Sequence, residues 1–272
     1  MTKIKIAFQG EKGAYSHIAC LEIFKNTEVK NCKTFEEAFK TVFEDESYKA
    51  IIPIENSLAG RVADIHYLLP KFKLQIYGEH YQKIEHCLLC KDEAEFKDIK
   101  HVRSHAQAIG QCQEIIKKNN FKSIISADTA GSAKDLSESN DNTIAAIASE
   151  LAAKTYGLKI LKKNIEDEAG NVTRFLVMGK NVSQPRYDKN KKYITTCIFR
   201  LKSEASALYK SLGGFATNQI NLTKLESFSV KNSFEQVNFY LDLEGHIEQK
   251  TVQKSLEELG FHTESLDILG VY

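Results

Sequence analysis

At 272 residues, with 42% hydrophobic and 27% charged residues, the chain is long enough for one large domain or two ordinary ones, burying about 70–75% of its unfolded surface without a disulfide framework. Its 37 basic and 36 acidic residues nearly cancel, which removes the electrostatic case for a nucleic acid or an acidic membrane and points to a small-molecule partner. No run reaches the ~18 apolar residues of a membrane span, and the alternating Lys3-Ile4-Lys5-Ile6-Ala7-Phe8 reads as a strand rather than a signal peptide, so a cytoplasmic location is expected.

In chain order, a strand Ile4–Phe8 runs into a Gly10–Gly13 turn and a helix carrying Ile18, Leu21, Ile23 and Phe24. A helix Phe35–Phe43 precedes a strand Ala50–Ile54, the turn PIENSLAG (Pro53 to Gly60) and a helix with Val62, Ile65, Leu68 and Leu69. From Ile84, a buried strand with Cys87 and Cys90 opens a second lobe. That lobe has a helix Ala106–Lys117, strands Ile124–Ala127 and Ala145–Ile147, and a helix from Ser149 to Gly157. The strand Thr173–Met178 then returns the chain to the first lobe. This alternation is the signature of α/β architecture with a largely parallel sheet.

The polar stretch to Lys192, with Pro185 and Lys189-Asn190-Lys191-Lys192, reads as a linker. Beyond it come strand Tyr193–Leu201, helix Glu204–Thr217, strands Asn221–Val230 and Phe234–Leu243, helix Ile247–Leu259 and strand Thr263–Leu269, a ferredoxin-like βαββαβ order. The six cysteines lie in apolar segments as reduced core thiols. Cys87 and Cys90, three apart in a strand, are expected on opposite faces of the sheet, which argues against a metal or redox pair.

The chemistry concentrates at Thr173-Arg174-Phe175, entered through Gly170, Asn171 and Val172. An ordinary strand start uses Thr for its β-propensity and Arg as a snorkelling residue. Three other segments share a strand, polar turn, helix grammar, however: QGEKGAYS (Gln9 to Ser16), PIENSLAG and DTAGSA (Asp128 to Ala133). Together with SHAQAIGQC (Ser104 to Cys112), AAIASELAAKTYGL (Ala145 to Leu158) and INLTKLES (Ile220 to Ser227), in this order, they closely resemble prephenate dehydratase over nearly the whole chain. Departures are Glu11, Ala14 and Ala106, where the family usually has Pro, Thr and Pro.

The resemblance implies a fold: a two-lobed α/β catalytic domain of type II periplasmic-binding-protein architecture over residues 1–180, with its second lobe at about 80–156. A linker 181–192 and a C-terminal ACT regulatory domain 193–272 follow. It also implies decarboxylating dehydration of prephenate to phenylpyruvate in L-phenylalanine biosynthesis, without a cofactor or metal. Aromatisation drives that reaction, so the enzyme must hold two carboxylates and supply a proton to a departing hydroxide. Thr173 takes the catalytic position. Tyr15, Ser16, Glu55, Asn56, Ser57, Ser104, Gln107, Thr129, Arg174 and Phe175 take substrate-binding positions. Glu55 and His105 stand as alternative proton sources.

Four turns, Gly10–Ser16, Asn56–Gly60, Ser104–Gln107 and Thr129–Ser132, are expected as anion-attracting helix N-termini, with Arg174 as a bidentate carboxylate clamp. L-phenylalanine as effector, and a homodimer or homotetramer, follow by resemblance. The effector positions would be Ser206, Ala207, Leu208, Asn221, Leu222, Glu226 and Ser227. Ser206 stands where the family has Gly, and Phe228 and Ser229 where it has Arg and Pro. Arogenate dehydratase is the chemical alternative, and a non-enzymatic sensor the alternative of another class. Thr173 beside Arg174 argues for the enzyme, because a binder has no use for a proton donor.

Overall fold

The computed structural model describes residues 3–230 and 236–272. The elements in order are β1 (Ile4–Gln9), α1 (Tyr15–Ile23), β2 (Thr27–Cys32), α2 (Phe35–Glu44), β3 (Tyr48–Asn56), β4 (Gly60–Arg61), α3 (Ala63–Phe72), β5 (Gln75–Lys83) and β6 (Cys87–Cys90). Next come β7 (His101–His105), α4 (Ala106–Gly110), α5 (Gln113–Lys118), β8 (Lys122–Ser126), α6 (Thr129–Glu138), β9 (Ile144–Ala148), α7 (Glu150–Tyr156), β10 (Lys159–Lys162) and β11 (Val172–Gly179). The C-terminal elements are β12 (Ile194–Leu201), α8 (Ala207–Thr217), β13 (Leu222–Ser229), β14 (Val237–Glu244), α9 (Lys250–Phe261) and β15 (Thr263–Val271). Phe234, where the expected strand begins, lies outside the described residues.

The chain divides into two compact units. One takes in the residues up to Thr41, Ser47–Val62 and His80–Phe175; the other takes in Val42–Glu46, Ala63–Glu79 and Leu176–Tyr272. The fold is α/β with mixed sheets. In the first unit the strand order β11-β3-β1-β2 has β1 parallel to both β2 and β3. Ile6, Ala7 and Phe8 of β1 are wholly buried, as expected of a central parallel strand covered on both faces. The same unit holds a five-stranded sheet, β10-β6-β9-β7-β8, parallel at β9-β7-β8 and antiparallel at β10-β6-β9. Cys87 packs with Leu89, Ala146 and Ala152, whereas Cys90 packs with Leu88, Val102 and Ile147. The two thiols thus face opposite ways across that sheet, and burial raises both.

Helix ends follow local chemistry. Ser149 caps α7 by accepting from Ala152 N, and Gly157 closes it at φ 63°. The expected helix Ala106–Lys117 is instead two short helices, interrupted at Gln111 and Cys112. Asp167 imposes the break. Its carboxylate accepts Gln113 N and Glu114 N at 2.7 and 2.9 Å, and its own N–H donates to Gln111 O at 2.7 Å, restarting the helix as α5. The strands β2, β4, β5, β7 and β10 are additions to the expected set.

In the second unit, β12 to β15 and the helices between them form an antiparallel sheet in the order β13-β14-β12-β15 with the βαββαβ connection. Phe199, Phe215, Leu241, Val252 and Leu259 make its core with α8 and α9. On the opposite face of β14, Tyr240 meets His66 of α3 edge-on. β5 joins β15 in parallel at Gly270, where a Cβ would fall 1.9 Å from Ile76 O. α8 begins at Ala207, three residues later than expected, because Ser206 sits in left-handed backbone at φ 61°. Among the described residues no helix is long and apolar enough to cross a membrane.

The loop after β1 is held at Gly13. Its N–H donates to His17 Nδ1 at 3.0 Å, and its carbonyl accepts Ser149 Oγ at 2.6 Å. Its φ is +92°, and a Cβ there would lie 2.6 Å from Ala152 Cα. Gly13→Ala therefore combines a left-handed conformation with a backbone clash, and should lower unfolding free energy in urea by about 2–5 kcal/mol. A change below about 1 kcal/mol would show that α1 and α7 move apart freely.

Candidate active site

The turn PIENSLAG is a hairpin rather than a helix N-terminus: β3 pairs antiparallel with β4, Glu55 opposite Arg61 and Asn56 opposite Gly60. Asn56 Oδ1 accepts Leu58 N and Ala59 N at 3.0 and 2.8 Å, an Asx turn that fixes which end of the carboxamide is oxygen. Its Nδ2 therefore faces β11, donating to Asn171 Oδ1 at 2.6 Å and Thr173 Oγ1 at 2.9 Å. Ser57 and Val172 exchange two further bonds, Ser57 N to Val172 O at 2.8 Å and Val172 N to Ser57 Oγ at 3.0 Å. Arg174, 7% exposed, pairs through Nη1 with Glu55 Oε1 at 3.1 Å. Glu55, Asn56, Ser57, Thr173 and Arg174 are thus brought together with Asn171.

The remaining expected residues are placed differently. Tyr15 donates its hydroxyl to Glu85 O at 2.7 Å and lies 2.9 Å from His86 Nδ1, and burial raises its phenol well above the usual range. Ser16 is buried. Ser104 is wholly buried and its hydroxyl donates to Ile147 O at 2.6 Å, a bond inside the five-stranded sheet rather than one toward a ligand. Gln107 is exposed on the five-residue α4, where His105 Nδ1 caps Gln107 N. Thr129 starts α6, but the Asp128 carboxylate already occupies that N-terminus, accepting Gly131 N at 2.5 Å, and disfavours a second anion there. Phe175 packs with Ile6, Phe8 and Ile51 as core. Of the four expected anion turns, α1 is the one whose N-cap, Ala14, contributes no side-chain bond.

Three residues join the cluster that sequence reasoning did not single out: Asn171, Gln111 and His86. Asn171, 1% exposed, donates Nδ2 to Gln111 Oε1 at 3.0 Å, which also lies 3.0 Å from His86 Nε2. Gln111 and Asn171 stand inside motifs already quoted, and His86 beside the cysteine pair. What was missing was the helix break that turns Gln111 inward.

The three expected proton donors sit in different surroundings. The guanidinium beside Glu55 stabilises the carboxylate charge, the opposite of what a general acid needs. His105 uses Nδ1 as a cap. Thr173 Oγ1 accepts from Asn56, and among the described residues its own proton has no acceptor.

For the expected effector positions, Ser206, Asn221 and Ser227 are exposed, Leu208 is 36% exposed, Leu222 is half-buried and Ala207 is buried. Glu226 faces α3, its Oε2 3.1 Å from His66 Nε2 and its Oε1 3.0 Å from Lys224 Nζ. Phe228 packs on His66 and Tyr67.

The fold is α/β, and the cluster sets the Thr173 hydroxyl beside the Arg174 guanidinium. A family model for prephenate dehydratase matches residues 6–183, and the chain belongs to that family. It is 40% identical, over 98% of its length and 95% of the relative's, to the bifunctional N-acyl-homoserine lactone acylase/prephenate dehydratase of Komagataeibacter europaeus. It is 36% identical over its full length to arogenate dehydratase/prephenate dehydratase 2, chloroplastic, of Arabidopsis thaliana, covering 73% of that protein. The crystal structure of prephenate dehydratase from Arthrobacter aurescens in complex with L-Phe superimposes with a TM-score of 0.91 at 26% identity, covering 99% of this chain and 90% of that one.

Two histidines give the first unit a pH dependence. Burial, and for His17 also the Lys12 charge, lowers His17; burial lowers His86 against the opposing Gln111 bond and Glu166 charge. Between the lowered folded pKa and the ordinary value near ~6.5, the unfolded chain binds protons that the folded chain does not. The stability contribution is full above that value and is lost as pH falls below it. Shifted Asp141, Glu150 and Glu204 act only at lower pH. Urea midpoints should fall from pH 7.5 to 5.5, and His17→Asn, which keeps an acceptor for Gly13 N–H, should flatten the slope. A flat wild-type profile would contradict this.

Proposed function

We propose that the chain is a prephenate dehydratase in which Thr173 gives its hydroxyl proton to the departing oxygen. One observation carries the assignment: Asn56 Nδ2 donates to Thr173 Oγ1 at 2.9 Å, so a lone pair is occupied and the proton is left for the substrate. In the reaction the ring carboxylate leaves as carbon dioxide, its bonding electrons complete the aromatic ring, and the ring C–O bond breaks. Hydroxide departs as water as Thr173 donates to the charge growing on it, and the Thr173 alkoxide takes a proton from solvent water before the next turnover. A substrate carboxylate shares the Arg174 guanidinium with Glu55, and the α1 N-terminus favours the second carboxylate. The proposal covers only the dehydratase half of the Komagataeibacter relative's name.

We assign residues 1–180 as the catalytic domain, 181–192 as the linker and 193–272 as an ACT regulatory domain. The family match ending at 183 and the βαββαβ sheet from β12 to β15 support this. L-phenylalanine, present in the Arthrobacter complex, is the proposed effector, acting in a homodimer or homotetramer. Left-handed Ser206 keeps the backbone that a glycine at that position would favour, which supports a retained effector loop.

With purified protein and prephenate, the ultraviolet absorbance of phenylpyruvate should appear, and kcat/KM should exceed that for arogenate. Thr173→Val should lower kcat by about 10²- to 10⁴-fold with KM little changed. A loss below about tenfold would move the donor role to Glu55 or His105, and turnover of arogenate alone would reassign the substrate. L-Phenylalanine titrated by calorimetry should give heat and inhibit, and should bind more weakly when substrate is present, because coupling is reciprocal. No heat and no inhibition at millimolar concentration would make the C-terminal domain an assembly module.

A further inference from the structure

The carboxamides between β3 and His86 have a polarity that can be read bond by bond. Leu58 N and Ala59 N are donors only, so the Asn56 atom they meet is Oδ1 and the other is Nδ2. Nδ2 has two hydrogens and faces three acceptors, Asn171 Oδ1 at 2.6 Å and Thr173 Oγ1 at 2.9 Å and, farther off, Val172 O at 3.2 Å. Asn171 must then present Nδ2 to Gln111, whose facing atom is Oε1. Since Oε1 only accepts, His86 Nε2 at 3.0 Å must carry a proton. In the neutral ring Nδ1 is then unprotonated, facing Tyr15 OH at 2.9 Å, whose one proton lies between it and the nearer Glu85 O at 2.7 Å. His86 is 2% exposed and its backbone N–H is held by Glu166 Oε2 at 2.9 Å, so the ring has a fixed place from which to donate.

We propose that His86 is a positioning residue for Thr173, held as the Nε2–H tautomer, whose donation to Gln111 anchors the far end of the Gln111–Asn171 carboxamide chain that packs Asn56 against Thr173 and leaves the Thr173 proton for substrate. Without that donor, Gln111 Oε1 keeps only the Asn171 bond. Asn56 still fixes the sense of the chain through Leu58 and Ala59, but Gln111 and Asn171 are held less tightly beside Asn56 and Thr173. The effect falls on the orientation of the reacting hydroxyl rather than on substrate binding. This rests on Thr173 being the proton donor.

The test has three readouts. First, ¹⁵N NMR of the wild-type imidazoles, with His86 assigned by its loss in His86→Gln, should show a protonated Nε2 and an unprotonated Nδ1 at pH 7.5; the neutral Nδ1–H tautomer would overturn the proposal. This readout needs no activity. Second, His86→Leu should lower kcat about 10- to 100-fold with KM within about threefold, and His86→Gln, whose Nε2 restores the donor, should recover most of it. Equal losses in both variants, or a loss confined to KM, would reject it. Third, in a Gln111→Leu background, His86→Leu should cost less than about threefold more, because the bond is already gone; a full multiplicative loss would show that His86 acts by another route. If wild-type protein turns over no prephenate, the functional reading fails, while the tautomer still decides the polarity of the carboxamides.

Discussion

Asn56 holds the site together because its carboxamide is used completely and in one sense. Two backbone N–H groups of the hairpin take its oxygen, and the end of β11 takes both of its N–H hydrogens. A rotated carboxamide would set donors against donors at Leu58 and Ala59, so the hairpin geometry is converted into the placement of a side chain on the neighbouring strand. A hydroxyl is a weak acid, and its value as a donor depends on where its proton points. For Thr173, the proposed donor, the Asn56 bond occupies a lone pair of the hydroxyl.

The buried neighbours explain why the arrangement is rigid. Asn171 and His86 are almost entirely removed from water, and a buried polar group left unpaired costs about 1–3 kcal/mol. Each bond between Tyr15 and Thr173 therefore restrains the next. The chain interrupts a helix to build this. Asp167 supplies an N-cap for α5 and an N–H for Gln111 O, so the backbone groups opened at the break are satisfied while the Gln111 side chain turns toward Asn171 and His86.

In the C-terminal sheet, Glu226 and Phe228, within the segment where the family places effector contacts, turn to α3 and its His66. Ser206 and Ser227 stay exposed. Alternation along β13 sends neighbouring side chains to opposite faces, so one short segment serves both an internal contact and the surface proposed for an effector.

Periodicity and turn chemistry determined by themselves the α/β alternation, the βαββαβ order and the separation of Cys87 from Cys90, because these depend on repeats of 2 and 3.6 residues and on Gly and Pro. Motif order was enough for the family, and it placed Thr173, Arg174, Glu55 and Asn56 in one site. Only the tertiary structure decided that Ser104 and Phe175 are interior residues, that PIENSLAG is a hairpin, that Asp128 fills the α6 N-terminus, and that Gln111, Asn171 and His86 belong with Thr173. Several of these depend on a partner distant in sequence: Ile147 for Ser104, Asp167 for the helix break, Asn56 for Asn171. Local propensity carries no information about such pairs, since a hydroxyl or carboxamide becomes a ligand contact or a structural bond according to what the folded chain brings within 3 Å of it.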